Sequence, residues 1–379
     1  MKIVEVIHCS TPGGAEVYVK NLLISMKNQN KKNEYELWIL HEVKELFPNN
    51  NEAKQFEKEY INELKTNKIN VKIFNRNGDK IKNRLKWYKE IRKYYNETKP
   101  DIVHTHLEIV TFNVCVALLF KKAKIIETIH NEKIAHGKIH RIFLSRKLSK
   151  IVSIANKVTE SIKKNIKCED KKIIQIYNGI EIEKFECKRN FDKEKEIEIV
   201  SIGRLVKQKN HKLLLEAFKN LDDKLKEENR KIPNLKIYGQ GELKEELKQY
   251  IKENNIQNVQ LMGITNRVDE VLKESDIYVM SSDYEGFSIS LIEAMVSGIA
   301  IVCTNVGANK EIIGENEAGI LIQDNNAEEL TNALYKLLDK KEREKLYSKC
   351  QKRKEMFNIN KSAEEHLNLY KTLVNGEKK

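Results

Sequence analysis

The chain lacks any apolar run long enough to cross a bilayer. Its longest, such as Val114 to Phe120, fall far short of the ~20 residues a membrane-spanning helix needs. Proline is scarce, four in 379 residues, while hydrophobic residues make up 40%. That excludes a disordered chain and allows two domains of ordinary size, each with its own core. The six cysteines (Cys9, Cys115, Cys168, Cys187, Cys303 and Cys350) are scattered, without the close pairs that ligate zinc or iron or exchange disulfides. They are expected to be reduced, and no metal site is expected. A secretory leader is not expected either, because Met1 to Ile7 reads as a short apolar strand followed at once by polar His8 and Ser10. The expected setting is the cytoplasm, with contact to the inner face of a membrane left open.

What the chain has in excess is positive charge, unevenly placed. The formal net charge is +13, and residues 1 to 185 carry 36 Lys and Arg against 22 Asp and Glu, whereas the remainder is close to balance. A general lysine bias would raise both halves. A basic half fits a partner of negative charge, such as a membrane surface, a phosphorylated lipid or a nucleic acid, and it fits a merely soluble basic surface equally well. Lys133 to Lys150 mixes Ile134, Ile139, Ile142, Phe143 and Leu148 with Lys138, Arg141, Arg146, Lys147 and Lys150. That composition suits an anionic bilayer or a lipid diphosphate, and equally a core edge between basic loops.

Strand-like and helix-like stretches alternate from the start. Strands are predicted at Ile3 to Ile7, Glu36 to Leu40, Val71 to Phe74, Ile102 to Thr105, Ile125 to Ile129 and Ile151 to Ile154. Helices are predicted at Ala15 to Met26, at Lys82 to Tyr95, through Val114 to Phe120 and near Ile139 to Leu148. Such alternation implies a parallel sheet covered on both faces. Asn178-Gly179 breaks the pattern, and the charge-dense stretch from 181 to 195 reads as a linker. The alternation resumes with strands at Ile197 to Ile202, Leu235 to Tyr238, Val259 to Met262, Ile277 to Met280 and Ile299 to Cys303, and a helix at His211 to Phe218. The predicted fold class is α/β: two doubly wound, Rossmann-like domains, 1–180 and 196–357, facing across a cleft, with 358–379 as a terminal helix.

Several strand ends carry chemistry. Between the first strand and first helix lies Pro12-Gly13-Gly14-Ala15-Glu16, where glycines admit a ligand to the backbone and the helix N-terminus offers N–H groups to an anion. It is neither a dinucleotide fingerprint nor a P-loop, and a plain tight turn would read the same way. Gly203-Arg204-Leu205 follows the strand ending at Ile202, with Lys207 and Lys209 before the next helix. An Arg fork and a movable Lys suit a diphosphate, although on so lysine-rich a chain Lys207 is equally an ordinary basic loop residue. Tyr238-Gly239-Gln240-Gly241 supplies glycines at another strand end, a place to admit a flat base. His130 follows the strand ending at Ile129, but His8, His104 and His106 also end or follow strands, and each fits a structural role too. Ser281 to Ser297 reads as loop then helix, with Glu285 in the loop and Glu293 on the helix; either alone could be a solvated carboxylate.

Together these segments resemble the nucleotide-sugar glycosyltransferases of the GT-B fold, specifically the retaining family four of bacterial polysaccharide and lipid-linked-sugar enzymes. The resemblance runs over essentially the whole chain and is carried by the PGGAE loop, His130-Asn131, Asn178-Gly179-Ile180, Gly203-Arg204-Leu205 with Lys209, Gly239 to Gly241 and the glutamates around EGFS. It implies that Arg204 and Lys209, with Gly203, hold the donor diphosphate, and that Glu293 reads the ribose hydroxyls. Glu285 and the backbone of Gly286, Phe287 and Ser288 would contact the donor sugar, while Gly13 and Gly14 approach the donor from the other domain. His130 would lie beside that sugar. Arg204, Lys209, Glu285 and His130 are thus the expected catalytic set.

The implied donor is a nucleotide-diphosphate sugar, the acceptor a glycan or lipid-linked glycan, and no cofactor or metal is implied. The helical tail from Asn358 to Val374 would cross back onto the first domain. Ser288 and Ala308 stand where relatives often have Pro or Gly and Gly, without removing a chemical group from the site. Glu285 as a covalent nucleophile and same-face attack aided by the leaving phosphate both remain open. A nucleotide-sugar epimerase would keep the same donor site. A nucleic-acid-binding protein ranks last, for want of a binding motif or an aromatic stacking pattern.

Overall fold

The computed structural model describes residues 1–78, 80–132, 134, 143–166, 168–192, 196–315, 317–323 and 326–376. They form two units, Met1–Gly179 with Asn358–Lys379, and Ile180–Phe357.

The first unit holds seven strands: β1 (Lys2–Ile7), β2 (Glu34–Ile39), β3 (Asn70–Ile73), β4 (Ile102–His106), β5 (Ile125–Ile129), β6 (Leu148–Ser153) and β7 (Ile173–Gln175). They form one sheet in the order β3-β2-β1-β4-β5-β6-β7, and every pairing is parallel, with Ile3 opposite Ile102 and Val6 opposite Thr105. The second unit holds β8 (Glu198–Ile202), β9 (Asn234–Tyr238), β10 (Val259–Gly263), β11 (Ile277–Met280), β12 (Ala300–Thr304) and β13 (Ile320–Ile322). Its order is β10-β9-β8-β11-β12-β13, again all parallel. Helices on both faces cover the central strands completely, polar residues included: every residue of β4, β5, β11 and β12 is buried, among them His104, His106 and Glu127. Strand order reverses between β1 and β4 and between β8 and β11. In open parallel sheets, ligands bind at the carboxyl ends of the strands beside such reversals.

Several expectations need correction. Of the stretch 181–195, expected to be a linker, the described part, 181–192, is tied into the second unit. Ile182–Phe185 is a short helix, and the Arg189 guanidinium donates to the carbonyls of Leu272, Ser275 and Ser297. Much of the helix expected near Ile139 to Leu148 lies outside the described residues. What is described is a single turn, Ser145–Lys147, and Leu148 already belongs to β6 and is buried. Lys147 donates its ammonium to the carbonyls of Leu119 and Lys121, while Arg146 beside it is exposed. The helix through Val114 to Phe120 runs from Glu108 to Ala117 and leaves Phe120 exposed. Asn51–Thr66 is a helix the apolar pattern did not announce, since only Ala53, Tyr60 and Leu64 are buried along its length; Asn50 caps it by accepting from Ala53 N.

Candidate active site

In the second unit, two loops leave adjacent strands at the order reversal and are bonded to each other. The first runs from β8 through Gly203-Arg204-Leu205 and a 3-10 turn, Lys207–Lys209, to Asn210. Asn210 takes a left-handed conformation (φ 42°) and caps the helix His211–Glu227 by accepting from Leu213 N. The second loop runs from β11 through Ser281 to Ser288. Ser281 Oγ donates to the carbonyls of Lys209 and Asn210 (3.1 and 3.0 Å), Asp283 N donates to Gln208 O (2.9 Å), and Asn210 Nδ2 donates to Asp283 Oδ1 (2.7 Å). Across these loops Lys209 Nζ meets Glu285 Oε1 at 2.6 Å, with the Glu285 side chain 8% exposed. Two residues 76 apart in sequence are thereby one ion pair. Arg204 is exposed and its guanidinium makes no hydrogen bond or ion pair among the described residues. A planar fork held at a strand end with no internal partner is available to an anion.

Three glycines make this edge possible. A Cβ on Gly239 (φ 151°) would lie 1.8 Å from Gly203 O, one on Gly241 would lie 2.2 Å from Leu205 O, and one on Gly307 (φ 53°) 2.2 Å from Glu285 O. The glycines after β9 therefore let two loops touch, a role the sequence did not assign to them. Ser288 opens the helix Ile289–Ser297 as its N-cap, accepting from Leu291 N, and Gly298 closes it at φ 69°. Phe287 is buried with its ring 5.9 Å from that of Phe357. What Phe287 can offer a ligand is its backbone, as Gly286 and Ser288 can.

Glu293, on that helix, keeps part of its surface exposed and makes no hydrogen bond among the described residues. Burial pushes its carboxyl up to about 8, against the pull of Lys184. Because the folded value lies above the ordinary 4.5, the cost of the buried charge accumulates as pH rises from 4.5 through about 8. Glu293→Gln is therefore expected to raise the melting temperature at pH 8.5 by roughly 2 °C or more, with little change at pH 5. If Glu293 accepts from ribose hydroxyls, the same variant weakens nucleotide binding. Thermal melts at the two pH values, with and without nucleotide, check both statements.

The other candidates lie in the first unit. Gly13 precedes the helix Gly14–Gln29 as its N-cap, with no side-chain cap, so helix N–H groups remain available to an anion. Glu16 folds back over Gly13, where an added Cβ would meet Glu16 Oε2 at 2.2 Å. Burial pushes the Glu16 carboxyl up, against the pull of its own backbone N–H. His130 follows β5, is 9% exposed, and places Nε2 at 3.0 Å from Nδ1 of His106. His106 Nε2 lies 2.8 Å from Glu5 Oε2, and Glu5 Oε1 accepts from Tyr370 OH at 2.8 Å. His104 bridges Tyr370 OH (2.6 Å) and Thr128 Oγ1 (2.7 Å).

The sequence had singled out His104 and His106 only as strand-end histidines, and it missed Glu5 and Tyr370 altogether. One signal was present, a lone carboxylate inside the apolar strand Lys2–Ile7, which needs buried donors. Glu5, His104 and His106 have the mutual spacing of a metal trio, their ligating atoms within 4.8 Å. Their ligating atoms also carry the protein hydrogen bonds given above.

Known family models cover most of the chain. Residues 12–184 match the family model Glycosyltransferase Family 4, and residues 183–355 match Glycosyl transferases group 1. The chain is 33% identical over 287 residues to an uncharacterized glycosyltransferase of Methanocaldococcus jannaschii, covering 68% of this chain and 70% of that one. It is 28% identical over 318 residues to the UDP-Gal:alpha-D-GlcNAc-diphosphoundecaprenol alpha-1,3-galactosyltransferase of Escherichia coli, covering 78% and 80%. Identity to the N-acetylgalactosamine-N,N'-diacetylbacillosaminyl-diphospho-undecaprenol 4-alpha-N-acetylgalactosaminyltransferase of Campylobacter jejuni is 33% over 212 residues, 55% of this chain and 56% of that one. Among solved structures, HepE of Anabaena in complex with UDP superposes with a TM-score of 0.81 at 15% identity over 98% of this chain and all of that one. A glycosyltransferase of Rickettsia africae gives 0.78 at 19%, over 98% of each. At such identities the structural likeness is one of fold.

Proposed function

Because this chain belongs to the GT-B-fold glycosyltransferases, with a family 4 half followed by a group 1 half, we propose that it moves a sugar from a nucleotide-diphosphate sugar to a lipid-linked glycan, with retention at the anomeric carbon. The observation that carries this reading is the cationic edge of the second unit: Arg204, without a hydrogen bond or ion pair among the described residues, and Lys209 on the same loop after β8. When the glycosyl bond breaks, negative charge develops on the departing diphosphate, and a preorganised Arg and Lys stabilise it there. Glu285 holds Lys209 in the resting protein and is placed to take a sugar hydroxyl when Lys209 turns to phosphate. The backbone of Gly286 to Ser288 orients the same sugar, and Glu293 reads ribose.

The acceptor class is supported by relatives whose names specify diphosphoundecaprenol acceptors. The basic first half suits the diphosphate of such a lipid, and no helix among the described residues is long and apolar enough to cross a membrane. None of the relatives described above is named an epimerase, and the epimerase reading gains nothing from the geometry.

The test is to incubate the purified chain with nucleotide sugars and a short-chain polyprenyl-diphosphate glycan, then follow product mass and anomeric configuration by NMR. Acceptor-dependent gain of one sugar with retained configuration is expected. An isomerised free sugar without acceptor, or no product with any donor, would contradict it. Anionic vesicles at low salt should retain the protein if the membrane surface takes part.

A further inference from the structure

We infer that Glu5 and His106 form a positioning relay that fixes His130 in the tautomer protonated on Nε2, so that its Nδ1 lone pair is the atom offered to a sugar hydroxyl. The first half stands on geometry within the first unit; the second rests on the proposed sugar transfer and on the family resemblance, which puts His130 beside the donor sugar.

Directionality begins at Glu5, which is wholly buried in the middle of β1. An ionised carboxylate only accepts. Its Oε1 takes the Tyr370 hydroxyl proton, and its Oε2 faces His106 Nε2 at 2.8 Å, so His106 must carry its proton on Nε2. A neutral His106 then has a bare lone pair on Nδ1. The atom 3.0 Å from that lone pair is His130 Nε2, which must be a donor. His130, protonated on Nε2, is left with an acceptor at Nδ1, an atom with no hydrogen-bond partner among the described residues.

His104 fits the same direction. With Tyr370 donating to Glu5, His104 Nδ1 donates to the Tyr370 oxygen and its Nε2 receives the Thr128 hydroxyl. All five links are satisfied at once, with one proton per ring.

With Glu5 ionised, as its donors Tyr370 and His106 favour, the opposite polarity requires His106 as an imidazolium, and the surroundings oppose it. His106 is buried, which lowers its pKa despite the hydrogen bond to Glu5. His130 is held well below the usual imidazole range by burial and then by His106, His104 and His366. Burial alone would raise Glu5, but His104 and His106 reverse this and keep it well below the usual carboxylate range. One negative charge therefore sits behind two neutral rings. A ring so oriented reads a hydroxyl hydrogen and has no N–H to offer an incoming carbonyl or phosphate oxygen. The relay thus suits His130 to a sugar alcohol rather than to a phosphate oxygen.

The direct test is long-range 1H–15N correlation on the full chain labelled with 15N-histidine, with the His130 signals assigned by their loss in His130→Asn. A protonated Nε2 and a pyridine-type Nδ1 are expected in the wild-type protein near pH 7.5. A protonated Nδ1, in either a neutral or a cationic ring, would overturn the relay. In His106→Phe the lock is gone, and the Nδ1–H tautomer should become populated; an unchanged His130 signal would overturn it too. In the transferase assay, Glu5→Gln should lower kcat at least about tenfold while leaving the Kd for UDP unchanged. A matching loss of UDP affinity would show a merely structural role. If Glu5→Gln fails to fold, the wild-type spectrum still decides the tautomer. A wild-type spectrum as expected, combined with full turnover by His130→Asn, would overturn the sugar contact while leaving the first half supported.

Discussion

Arg204→Ala is expected to lower turnover by a factor of roughly 100 to 1,000, the usual consequence of losing one preorganised charge at the place where charge develops. The folded protein should not notice, because Arg204 is exposed and makes no bond among the described residues; its melting temperature should match the wild type. That combination, a large kinetic loss with no stability change, separates a substrate-binding arginine from a structural one. Lys209→Ala should cost a similar factor but also destabilise the protein, since it leaves the nearly buried Glu285 carboxylate without its 2.6 Å partner. Adding Glu285→Ala to Lys209→Ala should restore stability without restoring turnover. A double-mutant cycle in melting temperature and kcat tests that, and full turnover by either single variant would contradict the assignment.

The largest stability effect is expected at Gly239. A methyl there would sit 1.8 Å from the carbonyl oxygen of Gly203, on a residue already at φ 151°, so both collision and backbone strain oppose it. Gly239→Ala should cost roughly 2–4 kcal/mol. The loop that must yield is Gly203-Arg204-Leu205, so nucleotide affinity should fall with stability. Gly263 is the control: it too has a positive φ (81°), but nothing lies within 4 Å of its added Cβ. Gly263→Ala should pay only for the backbone, about 1 kcal/mol. Urea denaturation of the two variants, with UDP titrations alongside, distinguishes them. Equal costs would mean that contact between the β8 and β9 loops is not what requires glycine.

The two-sheet architecture was legible because both sheets are parallel and buried on both faces. Several of their central strands, such as Ile277–Met280 and Ala300–Thr304, appear in the sequence as short, largely apolar runs bounded by polar turns. The carboxyl-end loops were legible for the same reason: each follows its strand directly. Asn51–Thr66 was not, because a helix that buries three side chains has too faint a period. Nor was the packing of Arg189, whose partners are backbone carbonyls with no sequence signature.

The candidate site divides similarly. Arg204, Lys209 and Glu285 could be gathered from strand ends, but that Lys209 and Glu285 form an ion pair depends on loop geometry that no spacing encodes. Glu5 was overlooked because hydrophobic periodicity treats a lone carboxylate in a strand as noise. Its partners lie 99 to 365 residues away, so only the folded sheet brings them together.

The account stands most directly on one binding measurement. Isothermal titration of the full chain with UDP and with UDP-sugars, at low and physiological salt, should give saturable one-site binding that is sharply weakened in Arg204→Ala. If neither these nor other nucleoside diphosphates bind at millimolar concentration, or if Arg204→Ala binds as tightly as the wild type, the β8 edge of the second unit is not a donor site.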